Sequence, residues 1–320
     1  MEILVIQHSC KKFLKPYNTL ELYNLFIWPK MVPPVYADLG KLARDLFRRG
    51  YHPGLWQLDC KTMTSSGIEF FTTGFASQDA SKVMGSLQSK YNIEDYGITL
   101  TERWNTDNLL FGEIAQKDKL VEGLLLALEG RFQPSSGDKS GRFMARYAKD
   151  FFNILGKIDI KSDPLIGLSL VLSHNQFLAG ASTDVDINSE NIGWSVALGW
   201  TNETTTVHGE LINADGWLLS VFHKANEQID AAVEVGQAAA GAVEEGEEPR
   251  RGDLNVGVGM VYRLEGDALI RAKINSNVEL GLGFQQKLRE GITMSISTVL
   301  DCPHITDGNH KFGVGLSLEC

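Results

Sequence analysis

Nowhere does this chain hold the run of about 18 apolar residues that a helix needs to cross a bilayer, so a transmembrane helix is excluded. Its longest apolar stretch, near Leu165–Leu172, is interrupted by Gly167 and Ser169. Cysteine is scarce. The four present, Cys10, Cys60, Cys302 and Cys320, are far apart and lack metal-ligand spacing, and free thiols in a reducing compartment are expected. Positive charge is short as well: 30 Lys and Arg stand against 40 Asp and Glu, a net −10, which speaks against a nucleic-acid partner. The seven histidines show no zinc-type spacing. The pairs Gly281/Gly283 and Gly313/Gly315 lack the strand–turn–helix setting of a dinucleotide loop. No Ser/His/Asp order stands on a helix-rich α/β background. Neither enzyme chemistry nor a cofactor or metal site is expected. Met1–Phe13 does not read as a secretory leader, because its apolar Ile3–Ile6 is short and the lysines follow it.

What is present is alternation. In the closing segment Phe312, Val314, Leu316 and Leu318 fall on one face of an extended strand, and Lys311, Gly313, Gly315, Ser317 and Glu319 on the other. The pattern recurs in Leu55–Met63, Gly97–Trp104, Gly123–Phe132, Ile154–Ile160, Ile192–Trp200 and Gly216–Lys224. It continues in Leu254–Leu264, Leu269–Asn275, Val278–Phe284 and Ile292–Val299. Turn tokens such as Ser65-Ser66-Gly67 and Glu265-Gly266-Asp267 separate the segments. Ile192, Trp194, Val196, Leu198 and Trp200 form an apolar file with tryptophan near both ends, as at membrane interfaces. The alternative for such a strand is a sandwich core. Many strands with one apolar and one wet wall predict an all-β membrane barrel. A mean hydropathy of −0.11 is compatible with that, since only alternate barrel residues meet lipid. Alternate glycines among the 32 present would relieve crowding on the inner face of a curved sheet.

Three regions follow along the chain: residues 1–30, 31–54 and 55–320. The first carries four lysines and two glutamates, leaving 26 basic and 38 acidic residues, net −12, in the rest. It reads as an N-terminal extension, expected to be poorly ordered; a membrane-surface or partner-binding role and a tail behind an upstream start are both open. The second begins extended at Pro33-Pro34 and predicts an amphipathic helix over Tyr36–Arg49, stopped at Gly50. Leu39, Leu42, Ala43, Leu46 and Phe47 would share its apolar face, with Lys41, Arg44, Arg48 and Arg49 around the other. Within the third region, Ala231–Arg251 reads as an acidic, mobile loop because of Glu244, Glu245, Glu247 and Glu248.

From about Met31 to Cys320 the chain resembles the voltage-dependent anion channels, the porins of the mitochondrial outer membrane. The likeness lies in Pro33-Pro34-Val35-Tyr36-Ala37-Asp38-Leu39-Gly40-Lys41 and Ala43-Arg44-Asp45. It lies also in Tyr96 to Asn108, Ala272-Lys273-Ile274-Asn275, Gly281-Leu282-Gly283-Phe284 and Gly308-Asn309-His310-Lys311. The resemblance implies about nineteen strands, antiparallel except for a parallel closing pair, and an amphipathic N-terminal helix in the lumen. Leu55 and Leu58 would then lie in one closing strand, Phe312 and Leu316 in the other. It further implies voltage-gated diffusion of ions and of metabolites such as ATP, ADP, NADH and phosphate, with Lys41, Arg44 and Arg49 matching the helix cations that meet permeating nucleotides and inorganic ions. Membrane lipids, a homo-oligomer and kinase docking are the implied partners. Glu102 shares its face with Ile98, Leu100 and Trp104 and so points toward lipid. The family's carboxylate there is tied to dimer contacts and regulation; the plainer reading is a glutamate snorkelling to the interface.

Departures accompany the matches. A family lysine is replaced by Leu125, and Glu265 stands where an aspartate is expected. The acidic surplus predicts reduced anion preference or cation selectivity, with Lys311 one of few basic residues facing an acidic barrel. A weakly conducting paralogue serving as a docking platform, and a soluble β-sandwich or ligand-binding barrel, are the rival readings.

Overall fold

A computed structural model describes residues 32–51, 54–78, 82–161, 164–189, 191–237, 254–306 and 310–319. The N-terminal extension lies outside them, as do Cys10, Cys320 and the acidic positions 238–253. Val32–Cys320 is one compact unit.

Nineteen strands form a single sheet. They are β1 (Trp56–Met63), β2 (Ile68–Ala76), β3 (Val83–Ile93), β4 (Ile98–Asn105), β5 (Leu110–Lys117), β6 (Leu124–Gln133) and β7 (Asp138–Lys149). There follow β8 (Phe152–Ile160), β9 (Leu165–His174), β10 (Phe177–Asp186), β11 (Ile192–Thr201), β12 (Thr205–Ile212) and β13 (Gly216–Lys224). The last six are β14 (Ile229–Gln237), β15 (Leu254–Leu264), β16 (Ala268–Asn275), β17 (Glu279–Arg289), β18 (Ile292–Asp301) and β19 (Lys311–Glu319). Each pairs antiparallel with its neighbour in sequence. The ends meet differently: β1 lies parallel to β19, with Trp56 beside Val314, Leu58 beside Leu316 and Cys60 beside Leu318. Leu55 sits just ahead of β1, where its carbonyl accepts from Val314 N–H at 3.1 Å. An odd number of strands joined by antiparallel pairing leaves the first and last running the same way, so closure requires this parallel pair. Closure leaves no free edge, which a spanning sheet needs in hydrocarbon.

Register fixes the faces. The apolar file of each strand points outward and stays exposed: Leu128 is 53% accessible, Leu168 53%, Leu198 70% and Phe312 58%. The opposite face is mainly polar, charged or small, apart from apolar residues such as Phe71, Phe111, Val171 and Phe222. Its basic and acidic residues occur in equal numbers across the nineteen strands, so the expected acidic wall is not found. The acidic surplus belongs instead to turns and to positions 238–253 of the sequence.

Three local expectations change. Ala231–Gln237, assigned to the acidic loop, belongs to β14, whose small residues pack beneath the N-terminal segment. Val278 is not a strand residue: it turns the chain at φ +59°, and β17 runs on to Arg289. The single helix over Tyr36–Arg49 is instead a 3-10 turn (Tyr36–Asp38) and a helix α1 (Lys41–Arg48). Leu39 between them is extended and Gly40 adopts φ +67°, a left-handed conformation that interrupts helical hydrogen bonding.

Candidate functional site: the lumen and its seated N-terminal segment

The segment from Val32 to Tyr51 lies on the inner wall, and each part is held by a different residue type. At its start Pro33 is fully buried, and its carbonyl accepts from Asn153 Nδ2 at 2.8 Å; Arg146 Nε in turn donates to Asn153 Oδ1 at 3.1 Å. A proline offers no N–H of its own, so the wall supplies a donor to the carbonyl it would otherwise bury unpaired. The Tyr36 hydroxyl then donates to Glu210 at 2.9 Å. Burial leads, with the Glu210 charge adding, in pushing that phenol well above the usual tyrosine range. Leu39 packs with Val171 and Ala197, all three buried.

Helix α1 continues the seating. Ala43 and Leu46 bury against Ala232 and Val261, with Phe47 and Phe222 alongside. Leu42, expected on this face, is 52% exposed because it sits at the edge of the Ala43–Leu46–Phe47 stripe. The wall beneath is bare. A Cβ at Gly180 would lie 2.8 Å from Leu39 Cδ1, one at Gly257 3.2 Å from Phe47 Cε1, and one at Gly259 2.4 Å from Leu46 Cδ2. The inward glycines read from the sequence as relief of curvature therefore also make room for the segment, which approaches too closely for any side chain. At the helix end Lys273 Nζ donates to the Phe47 carbonyl at 2.8 Å and stands 4.4 Å from the Tyr51 ring centroid. A cation at a helix C-terminus satisfies an otherwise unpaired carbonyl and complements the helix dipole.

The predicted cations face the lumen from this platform. Lys41 pairs with Asp38 at 2.9 Å, and Arg49 with Asp45 at 3.2 Å. Arg44 donates to the Ala37 carbonyl. The structure brings the three onto one short segment, partly neutralised by neighbouring aspartates, and the segment retains a positive surplus over Asp38 and Asp45. Glu102 lies elsewhere, on the outer face of β4, beside Ser89 of β3 and Gly112 of β5 and between Leu100 and the exposed Trp104.

Two features escaped the sequence. His208 of β12 is 4% exposed and sits under the Gly40 break. Arg103, Phe111 and Arg131 come together in one row across β4, β5 and β6. Neither has a local signal, because both depend on cross-strand register.

A family model for the eukaryotic porins matches residues 32–313. A voltage-dependent anion-selective channel of Drosophila melanogaster is 43% identical over 293 residues, 90% of this chain and 100% of its own length. A non-selective voltage-gated ion channel, VDAC2, of Xenopus laevis is 37% identical over 290 residues, 90% of this chain and 99% of its own. Among solved structures, a porin triple mutant of Rhodopseudomonas blastica aligns with TM-score 0.47 at 10% identity, over 78% of this chain and 98% of its own. With the family model matching residues 32–313 and two voltage-gated channels similar over 90% of its length, the chain belongs to the eukaryotic porin family.

Proposed function

We propose that this protein is a voltage-gated, weakly selective diffusion pore of the mitochondrial outer membrane, passing inorganic ions and small metabolites such as nucleotides and phosphate. The observation that carries this reading is the two-faced closed barrel: exposed apolar residues all round the outside, and balanced charge with a basic segment seated on the inside. Selectivity in such a pore comes from the summed field of lumenal charges. An evenly charged wall plus the surplus of α1 favours weak anion preference, and frank cation selectivity loses its basis. Lys41, Arg44 and Arg49 are the proposed contacts for permeating anions. The exposed ion pairs of Lys41 and Arg49 contribute little and exchange readily with a phosphate. Glu102 is the proposed lipid-facing contact for a second copy, a lipid headgroup or a docking protein, since an exposed carboxylate in hydrocarbon is costly unless paired or protonated.

Reconstitution of the full chain into planar bilayers tests this reading. Stepwise conductance that falls with applied voltage, and a reversal potential slightly toward anions in a KCl gradient, are expected. A strongly cation-preferring potential would overturn the charge argument. Absence of conductance would replace the pore by the docking-platform reading. Protease protection after import into isolated mitochondria tests the membrane assigned.

A further inference from the structure

Inward-facing phenylalanine is out of place in a wet lumen, yet Phe71 is 38% and Phe75 36% exposed there. Phe71 begins a row that runs straight across the inner wall: Phe71 of β2, Gln88 of β3, Arg103 of β4, Phe111 of β5 and Arg131 of β6. Its Arg103–Phe111–Arg131 end lies near the strand ends joined by the β4–β5 and β6–β7 turns, at a mouth of the barrel, whereas Gln88 is mid-strand and Phe71 lies nearer the β1–β2 turn. The row is also remote from the N-terminal segment, which contacts β8 to β10 and β12 to β17.

The row is ordered by its own contacts. Gln88 Oε1 accepts from both Nε and Nη2 of Arg103, at 3.1 and 2.9 Å, which fixes the guanidinium plane. Arg103 lies 5.5 Å and Arg131 5.9 Å from the Phe111 ring centroid, so one ring holds two cations that would otherwise repel. Arg131 has a long contact to Glu129, at 3.8 Å, with its side chain 46% exposed. Of the five donors on a guanidinium, Arg103 gives two to Gln88 and keeps the rest for a ligand. Guanidinium planes and phenyl rings both accept stacked bases, and forked donors suit phosphate.

We propose that this row is a binding station for nucleoside polyphosphates. Arg103 and Arg131 clasp the phosphate chain, and the base stacks within the Phe71–Arg103–Phe111 ladder. The proposal deepens the pore reading and rests on it. A permeating nucleotide would meet this station on the wall away from the helix cations, and be held at the mouth before or after passing them.

The full-length channel in planar bilayers provides the test, with KCl conductance as the control and current fluctuations giving apparent affinities for ATP and for inorganic tripolyphosphate. The R103Q/R131Q variant should weaken both probes by about tenfold or more, equivalent to roughly 1.4 kcal/mol. F111L keeps apolar volume but removes the ring; it should weaken ATP several-fold more than tripolyphosphate, which loses only the ring's hold on the two guanidinium groups. K117Q/K287Q removes the same charge from elsewhere on the inner wall and should change ATP affinity by less than about twofold. KCl conductance should persist in all three. ATP affinity kept in R103Q/R131Q, or lost equally in K117Q/K287Q, would overturn the station while leaving the pore intact. Equal loss of both probes in F111L would overturn the base contact. No KCl conductance in the unmodified protein would remove the pore reading itself, and the station with it.

Discussion

The imidazole of His208 occupies the space that a side chain at position 40 would need: a Cβ on Gly40 would stand 2.6 Å from Nδ1 and 2.9 Å from Cγ. The glycine also sits at φ +67°, where an L side chain costs about 1–2 kcal/mol. Strain and clash act together in Gly40→Ala, which should loosen the segment without opening the barrel. The backbone strain alone, about 1–2 kcal/mol, sets a lower bound of roughly a 5–30-fold change in the undocked population. Tryptic cleavage within Lys41–Arg49 should rise by at least that factor. In a His208→Ala background the same substitution should cost less, because only the backbone strain is left; equal cost in both backgrounds would deny the contact.

Leu46 anchors the other half of the segment through packing alone. Leu46→Ala deletes a buried side chain seated over Gly259, a change that costs about 2–5 kcal/mol in cores. All of that cost should fall on docking. Proteolysis of the segment should accelerate further than in Gly40→Ala, while the urea midpoint of the strands, followed by far-ultraviolet dichroism in detergent, should be unmoved. A falling midpoint would mean that the helix supports the barrel rather than merely resting on it.

These two sites show where sequence reading stops. Alternation in Ile192–Trp200 or Phe312–Leu318 is a period-two signal carried within one strand, so wall and lumen faces could be read from residues alone. The helix break could not: Gly40 inside an amphipathic pattern resembles a tolerated glycine, and only the wall beneath shows that no side chain fits. Net charge misled for a related reason. It sums turns with wall positions, whereas a lumenal field depends on which file of each strand the charge occupies. The row from Phe71 to Arg131 spans sixty positions of chain and exists only through four successive registers.

Barrel closure hangs on the pairing of β1 with β19. Val314 N–H donates to Leu55 O at 3.1 Å, and Leu58 lies opposite Leu316. Val314→Pro removes that donor, and Val314 is paired on its other side with Ile296 of β18. The variant should fail to close, giving a low yield of heat-resistant folded band on cold gel electrophoresis after refolding in detergent. Val314→Ile, equally apolar and able to donate, should refold normally. Normal refolding of the proline variant would place the closing interaction elsewhere.

Glu102 offers a measurement of the lipid face. A charged group directed at lipid costs up to a few kcal/mol at mid-membrane and less toward the interface, with carboxylates below arginine and lysine. Glu102→Gln keeps the shape and removes the charge, so the urea midpoint of the protein folded in neutral phosphatidylcholine vesicles should rise, reflecting about 1 kcal/mol of added stability. Ser89 and Gly112, its neighbours on the adjoining strands, offer no countercharge. An unchanged midpoint would put the carboxylate at the interface, in water, where removing its charge matters little.

Tyr51 supplies a pH signature for the docked segment. It is 9% exposed, its ring lies under Lys273 Nζ, and burial pushes its phenol up to about 12, opposed by the nearby Arg271 charge. A raised phenol favours the protonated folded form, so its contribution is complete below the ordinary value of about 10 and fades as pH climbs toward 12. Two units correspond to roughly 2–3 kcal/mol. The segment should stay seated through mild alkali and release between about pH 10 and 12. Subtracting the phenolate absorbance titration of Tyr51→Phe from that of the unmodified protein isolates one ionisation, expected above the ordinary tyrosine value of about 10 and below the docked value of about 12. A difference curve centred near the ordinary tyrosine value would mean that position 51 is open to water and that the end of α1 is not held against β16 and β17.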